Sequence, residues 1–147
     1  MSNNIIVYQD STGLHLSTPA ECADMESLIS RTVPKDSNGE YLPYKIMSRD
    51  ELPITKYIYS WSLIDSSLVQ DRSELYELKK AEWRGMRSRL LIKYDIAFIK
   101  ALEAGNALEQ QKIINIKKKL RDVTATKIDF LSNEELEDFV PEILNVV

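Results

Sequence analysis

Two stretches of helical periodicity, separated only by Gly105-Asn106, occupy much of the second half of the chain. In the first stretch, apolar side chains recur every seven residues and form one continuous stripe on which a second helix can pack. The residues of this stripe are Tyr76, Trp83, Leu90 and Ala97. Gly105 is a typical C-terminal stop, and such a short connection favours antiparallel packing of the two arms. The sequence therefore predicts a helical hairpin.

The second arm of the predicted hairpin has an apolar side of its own. We expect this side to consist of Leu108, Ile113, Ile116, Leu120 and Val123. Beyond the hairpin, Ser132-Asn133-Glu134-Glu135 has the pattern of a capping box, in which a serine and a glutamate bond each other's backbone N–H groups. This pattern predicts a short C-terminal helix, which Pro141 ends.

The N-terminal part predicts a small α/β lobe. Apolar or alternating runs at residues 5–8 and 14–17 flank a polar segment that ends in Gly13, which predicts a β-hairpin. Thr18-Pro19-Ala20-Glu21 then has the cap, the proline and the glutamate of a helix start. The short helix that follows would have Cys22, Met25 and Ile29 on one face.

The rest of this lobe is less regular. Residues 44–47 predict a third strand, whereas residues 54–63 fit either a strand at the edge of the sheet or a half-buried helical turn. Residues 65–70 are expected to join the lobe to the helices. The predicted class is α+β, with a small α/β lobe at 1–66 and a helical hairpin and short helix at 67–147. The two parts could also form one compact domain.

Size and cysteine content limit the class of protein. The chain has 147 residues, of which 44% are hydrophobic, and this is enough for a core. Cys22 is the only cysteine, so we expect no intrachain disulfide and a reducing, intracellular place of synthesis. No apolar run approaches the roughly 18 to 20 residues that span a bilayer, and the polar start is unlike a signal peptide. We expect no membrane segment.

Charge is unevenly distributed along the chain. Positive residues collect between Lys79 and Arg121, whereas the segment from Asp129 onward carries only acids. Such a layout fits a nucleic-acid surface, or an acidic end that folds over a basic hairpin. The net charge of −4 favours the second interpretation.

Few residues could support catalysis. His15, the only histidine, is expected at the surface or edge of a strand, and one histidine with one cysteine cannot form the usual zinc sites. A dyad of Cys22 and His15 remains the catalytic alternative, but Cys22 falls on the apolar side of its helix, where a thiol is inert. No glycine-rich phosphate loop occurs. We expect no enzymatic activity, no cofactor and no metal site.

Basic side chains on the two arms admit three interpretations. They are Arg84, Arg87, Arg89 and Lys93 on the first arm, and Lys112, Lys117, Lys118, Lys119 and Arg121 on the second. A solvated face is the favoured interpretation, followed by a protein-binding surface. A nucleic-acid surface is the least favoured, because the nearby aromatic residues Tyr76 and Trp83 belong to the apolar stripe and are expected in the core rather than stacked on bases.

Two motifs on the hairpin are more specific than its periodicity. They read Ala-Leu-Glu-Ala-Gly at residues 101–105 and Leu-Arg-Asp-Val-Thr at residues 120–124. Less specific segments elsewhere in the chain accompany them. In chain order they are Val33-Pro34, Asp50-Glu51-Leu52-Pro53, Trp61, Trp83-Arg84-Gly85-Met86-Arg87, Asp95 and residues 132–141. With these motifs the chain resembles a family of small phage and prophage proteins that are encoded beside tail-fibre genes and described as tail-assembly or tail-fibre-assembly chaperones. It departs from the family at Ser60, where alanine is usual, and at Asn106, where aspartate is common.

This resemblance implies a non-enzymatic protein that binds a tail or tail-fibre subunit in the host cytoplasm during assembly, or a minor component of the virion tail. The protein could also associate with itself. The alternative function is that of an accessory protein that binds nucleic acid through the basic face of the hairpin. The motifs give the candidate partner-binding residues, which are Trp83, Arg84, Arg87, Asp95, Arg121 and Asp122. Arg87 and Asp95 lie about two helical turns apart and cannot pair with each other. Either could meet Arg121 or Asp122, so we predict an ion pair between the arms.

Overall fold

The computed structural model of the chain describes residues 4–18, 24–52 and 55–145. At Thr55 it describes the backbone only. The chain divides into two compact units, Met1–Leu75 and Tyr76–Val147. The first unit contains short antiparallel strands and short helices, and the second consists of helices. The α+β class predicted from the sequence is confirmed.

A three-stranded antiparallel sheet forms the first part of the first unit. Its strands are β1 (Asn4–Asp10), β2 (Gly13–Ser17) and β3 (Tyr44–Ser48), in the order β2-β1-β3. Gly13 has a φ of +128° at the turn between β1 and β2, a conformation that favours glycine. Both the N-terminal hairpin and the third strand were predicted correctly.

The first helix, α1 (Met25–Thr32), begins after Asp24. The Asp24 side chain accepts a hydrogen bond from the backbone N–H of Ser27, so this residue caps the helix. The helix start predicted at Thr18-Pro19-Ala20-Glu21, and the predicted burial of Cys22, concern residues 19–23, which lie outside the described residues.

A second hairpin follows two short 3-10 helices, Arg49–Glu51 and Thr55–Ser60. It consists of β4 (Trp61–Ile64) and β5 (Ser67–Gln70). The two alternatives for residues 54–63 therefore occur in succession, first a helical turn and then a strand. The junction predicted at residues 65–70 is wrong, because this segment is the turn and second strand of the hairpin. A division after residue 66 would separate β4 from β5.

One core cluster of the first unit lies on one face of the sheet, and Ile6 is buried on the other face. Its buried members are Ile5, Val7, Leu14, Met47 and Leu63, with Leu52, Ile58, Trp61 and Leu68 packed around them. Ile5 and Val7 alternate along β1, as expected for one face of a strand. The backbone N–H of Leu63 donates to Oε1 of Gln9 at 2.6 Å, which links β4 to β1.

The second unit is built on the predicted helical hairpin, with arms α2 (Arg72–Glu103) and α3 (Ala107–Arg121). Gly105 has a φ of +66°, and the N–H of Asn106 donates to the carbonyl of Ala101, so α2 ends in a Schellman motif. The side chain of Asn106 then accepts the N–H of Glu109 and caps α3. Gly105 therefore ends the first arm, and Asn106 begins the second.

The C-terminal segment adds short elements to the hairpin. A 3-10 turn at Val123–Ala125 leads to α4 (Asn133–Asp138) and a last 3-10 turn at Glu142–Asn145. The capping box predicted at Ser132 is present. Pro141 follows α4 after two further residues. None of the described helices combines the length and the apolar character that crossing a membrane requires.

The core of the second unit follows the predicted apolar pattern in part, because Trp83 is buried whereas Tyr76, Leu90, Ala97 and Ile116 are only half-buried. Its buried side chains are Trp83, Ala101, Ile113, Leu120, Val123, Ile128, Leu136 and Leu144. The predicted burial of Leu108 is wrong, since this residue is 70% exposed. Leu108 precedes Ile113 by five residues, about 140° around the helix, and therefore lies well away from the buried side of α3.

Candidate partner-binding surface of the helical hairpin

An ion pair joins the two arms of the hairpin. Asp95 on α2 binds the ammonium group of Lys117 on α3, and the Lys117 side chain is only 18% exposed. The same ammonium group lies 5.8 Å from the ring centroid of Phe98. An ion pair between the arms is therefore present, but Asp95 meets Lys117 and not Arg121 or Asp122. A solvated face was the favoured interpretation for Lys117, but its side chain is largely buried between the arms.

Arg87 and Arg121 do come together, although not as a charge pair. The Arg87 guanidinium donates from Nη1 to the backbone carbonyl of Arg121 at 3.3 Å. This carbonyl belongs to the last turn of α3, where no further helical N–H follows to bind it. Asp122 is the C-cap of α3, and its backbone carbonyl accepts the N–H of Ala125 at 2.9 Å. Arg87, Arg121 and Asp122 therefore complete the end of the second arm.

Trp83 belongs to the interior of the second unit. Its side chain is fully buried, and its ring makes edge-to-face contacts with Tyr76 at 6.2 Å and Phe139 at 6.1 Å. A partner that docks on the exterior would not touch this ring. Of the six candidate residues, Trp83 is thus placed to stabilise the fold, whereas Arg84 is exposed on α2.

A buried lysine connects the hairpin to the acidic C-terminal segment. Lys79 is 1% exposed, and its Nζ donates to the backbone carbonyl of Glu137 at 2.9 Å. Glu82 lies on the same helix with a carboxylate oxygen 3.6 Å from this nitrogen. Beside this contact, an open groove of about 590 Å³ is lined by Ile116, Lys119, Phe139 and Pro141, among others. The acidic end thus packs on the basic hairpin, as the charge layout had favoured.

The outward side of α2 carries an apolar surface that the sequence analysis missed. Ile92, Ile96 and Ile99 are 63%, 52% and 54% exposed. Their spacing of four and then three residues places them on one side of the helix, roughly opposite Trp83 and Ala101. We call these three residues the isoleucine face. The signal was available in the sequence, because this spacing repeats the pattern of the buried stripe on a second side of the same helix.

Three cations follow one border of the isoleucine face. Arg89, Lys93 and Lys100 are exposed and lie within about 40° of one another around α2. No ion pair joins any of the three to another residue in the described part of the chain. On the opposite border, the carboxylate of Asp95 is already bound by Lys117. The isoleucine face therefore has a basic border whose cations could pair with acidic groups of another molecule.

Comparison with known protein families, curated proteins and solved structures found no match to this chain.

A polar cluster lies at the tip of the N-terminal hairpin in the first unit. Oδ1 of Asp10 accepts the hydroxyl of Thr12 at 2.6 Å and its N–H at 2.7 Å, and lies 2.9 Å from Nε2 of His15. These hydrogen bonds lower the pKa of Asp10 from 3.8 to about 2, and the bond from the Thr12 hydroxyl has the largest effect. The His15 ring stacks on Tyr8 at 5.0 Å on the edge strand β2. The cluster thus holds the turn in place.

Metal ligands do not converge in the part of the chain that the structure describes. No group of three or more His, Cys, Asp or Glu side chains among those residues could hold an ion.

Proposed function

We propose that this chain is a non-enzymatic assembly factor of phage type, which binds a tail or tail-fibre subunit during particle assembly. The observation that carries the proposal is the isoleucine face, with three apolar side chains more than half exposed on a helix whose other side is buried. Exposed apolar surface with a polar border is typical of sites where another protein docks. The resemblance in the hairpin motifs supplies the class of partner.

The internal contacts of the hairpin support a binding role. Asp95 and Lys117 join the arms, and Arg87 closes the end of α3. A surface that is held in shape before it meets its partner loses less conformational entropy on binding. In this proposal the motif residues keep the hairpin rigid, and the isoleucine face makes the contact. The protein would act in the host cytoplasm during assembly.

Two variants with the same type of substitution test this proposal. The tagged chain is co-expressed with the product of an adjacent tail-fibre gene, and the complex is isolated at moderate salt. We expect Ile96→Glu to abolish co-purification, because it places a charge in the centre of the face. Leu108→Glu places the same charge at an exposed apolar residue of the other arm, outside the isoleucine face, and should leave co-purification intact. No association of the unmodified chain with any tail or fibre protein would refute the proposal.

Two further measurements distinguish the remaining alternatives. Mass spectrometry of purified particles distinguishes an assembly factor from a minor tail component, since only the latter stays in the particle. A nucleic-acid-binding protein would instead show an affinity for DNA or RNA that falls steeply with salt, because its cations would displace counterions from the phosphates.

A further inference from the structure

We propose that the isoleucine face binds an amphipathic helix whose apolar stripe is bordered by acidic side chains. This inference names the chemistry of the partner, and it rests on the proposed function only for the source of that partner.

The isoleucine face has the dimensions of a helix–helix contact. Ile92, Ile96 and Ile99 span seven residue steps, or about 10 Å along α2. They lie within about 60° around the helix axis, a width that one row of side chains from a second helix covers. The buried side of α2 carries Trp83 and Ala101, so the isoleucine face takes no part in the core of its own chain.

The basic border determines the charge of the partner. Arg89, Lys93 and Lys100 run beside the isoleucines and make no ion pair with any described residue. A helix that docks on the isoleucines brings its flanking side chains next to these cations. Acidic flanking residues would be attracted, and basic ones would be repelled, so the border selects between partners of similar apolar content.

A second copy of the chain would neutralise this border only in part. Antiparallel pairing centred on Ile96 sets Lys93 of one copy beside Lys100 of the other, and only Arg89 then meets an opposite charge, on Glu103. Parallel pairing sets Arg89 beside Arg89 and Glu103 beside Glu103. Like charges at such positions oppose pairing of coiled-coil type. A partner with acidic side chains along the whole border pairs all three cations, which a second copy does in neither orientation.

A lipid surface also fits less well than a helix. Amphipathic helices that lie on membranes carry cations along their polar face and often a Trp or Phe on the apolar one. Here the cations follow one border only, Glu103 continues the line of the isoleucines, and the isoleucine face contains no aromatic residue. The geometry thus points to a protein helix.

The test uses the full chain and a synthetic helical peptide of about three heptads, with leucine at the a and d positions and glutamate at the flanking positions. A matched peptide has lysine in place of each glutamate. Fluorescence anisotropy of the labelled peptides measures the dissociation constants. We expect the acidic peptide to bind at least about tenfold more tightly than the basic one.

Substitutions in the chain then locate the site. Ile96→Glu should weaken binding of the acidic peptide at least about tenfold, whereas Leu108→Glu should change it less than about twofold. The double variant Lys93→Glu/Lys100→Glu should reverse the preference and bind the basic peptide more tightly. Circular dichroism shows whether each variant keeps the helical content of the parent. The charge-reversed variant gives an answer even where a substitution within the isoleucines alters the fold.

Several results would overturn the inference. They are equal binding of the two peptides, binding of the acidic peptide that does not depend on Ile96, dimerisation through Ile96 in sedimentation equilibrium, or Ile96-dependent binding to phosphatidylglycerol vesicles in preference to the peptide. Failure here is distinguishable from failure of the proposed function. Peptide binding without capture of a fibre subunit would leave this inference intact, whereas capture without peptide binding would place the docking surface elsewhere.

Discussion

The ammonium group of Lys79 donates a hydrogen bond across 2.9 Å to the backbone carbonyl of Glu137, in a site where the lysine is 1% exposed. Burial of a charged group is costly unless hydrogen bonds and an opposite charge replace the lost water. The Glu137 carbonyl and the carboxylate of Glu82 supply both here. Together with the contact between Trp83 and Phe139, this side chain holds the C-terminal segment on the long arm of the hairpin.

We expect Lys79→Ala to lower the free energy of unfolding by about 2–4 kcal/mol, because it removes the bond and leaves a cavity. Lys79→Met keeps most of the volume and should cost about 1–3 kcal/mol, chiefly for the lost hydrogen bond. Urea denaturation followed by circular dichroism measures both. Lys118→Ala, at an exposed position of α3, is the control and should stay within about 0.5 kcal/mol. A loss for Lys79→Ala no larger than that of the control would show that the buried bond contributes little.

Two glycines of the second unit should respond in opposite directions to the same substitution. Gly105 has a φ of +66°, so Gly105→Ala should destabilise the chain by about 1 kcal/mol. Gly85 lies within α2, and a Cβ added there would meet no atom within 4 Å. Gly85→Ala should therefore stabilise the chain by about 0.5–1 kcal/mol. Thermal unfolding of the two variants tests this, and a shift of the same sign in both would contradict it.

The ion pair between Asp95 and Lys117 should contribute only modestly to stability. The Asp95 side chain is 55% exposed, and solvent weakens the attraction at such a position. A double-mutant cycle with Asp95→Asn and Lys117→Met should give a coupling energy of about 0.3–1 kcal/mol. The coupling should fall in about 1 M sodium chloride, where screening is strong. A coupling energy that salt does not change would argue against an electrostatic origin.

The N-terminal hairpin should lose stability in acid through Asp10. The pKa of this carboxyl is about 2 in the folded chain, below the ordinary value that it regains on unfolding. The unfolded state therefore binds the proton first as the pH falls. The contribution of Asp10 is complete above about pH 4 and is lost as the pH approaches 2. A carbon-detected NMR titration of the Asp10 carboxyl measures the pKa directly.

Thr12→Val is the variant that tests the cause of this shift. It removes the hydroxyl bond, which is the largest cause, and keeps the bond from the backbone N–H. We expect the pKa of Asp10 to rise toward its ordinary value in this variant. Ser11→Ala, at an exposed neighbour in the same turn, serves as the control. An unchanged pKa in Thr12→Val would assign the shift to His15 or to the backbone.

Local signals in the sequence were sufficient for much of the fold. Gly13, Gly105 and Ser132 mark turns and caps whose chemistry depends only on neighbouring residues, and the structure has a hairpin turn, a helix stop and a capping box at these positions. The hairpin of β4 and β5 was missed because its turn lacks glycine. Asp65 and Ser66 adopt φ values of +48° and +64° there, which few residues other than glycine, asparagine and aspartate do readily.

The candidate site was harder to predict, because it depends on which side of a helix the rest of the chain covers. Periodicity marked Trp83 as core and was right, but it could not show that Ile96 lies on a side that no part of the second unit buries. The partner of Asp95 was also beyond sequence reasoning. The choice between Lys117 and Arg121 depends on the register of the two arms, which the Gly105-Asn106 turn sets in three dimensions.

That turn also determines the order in which contacts can form. Ala101 and Gln110, which are bonded across it, lie 9 residues apart, whereas Arg87 and Arg121 lie 34 apart and Lys79 and Glu137 lie 58 apart. Short loops close faster and at lower entropic cost than long ones. The arms would thus close from the turn outward, and the acidic segment would join last. The isoleucine face, on the arm next to the turn, would then be in place before the acidic segment docks.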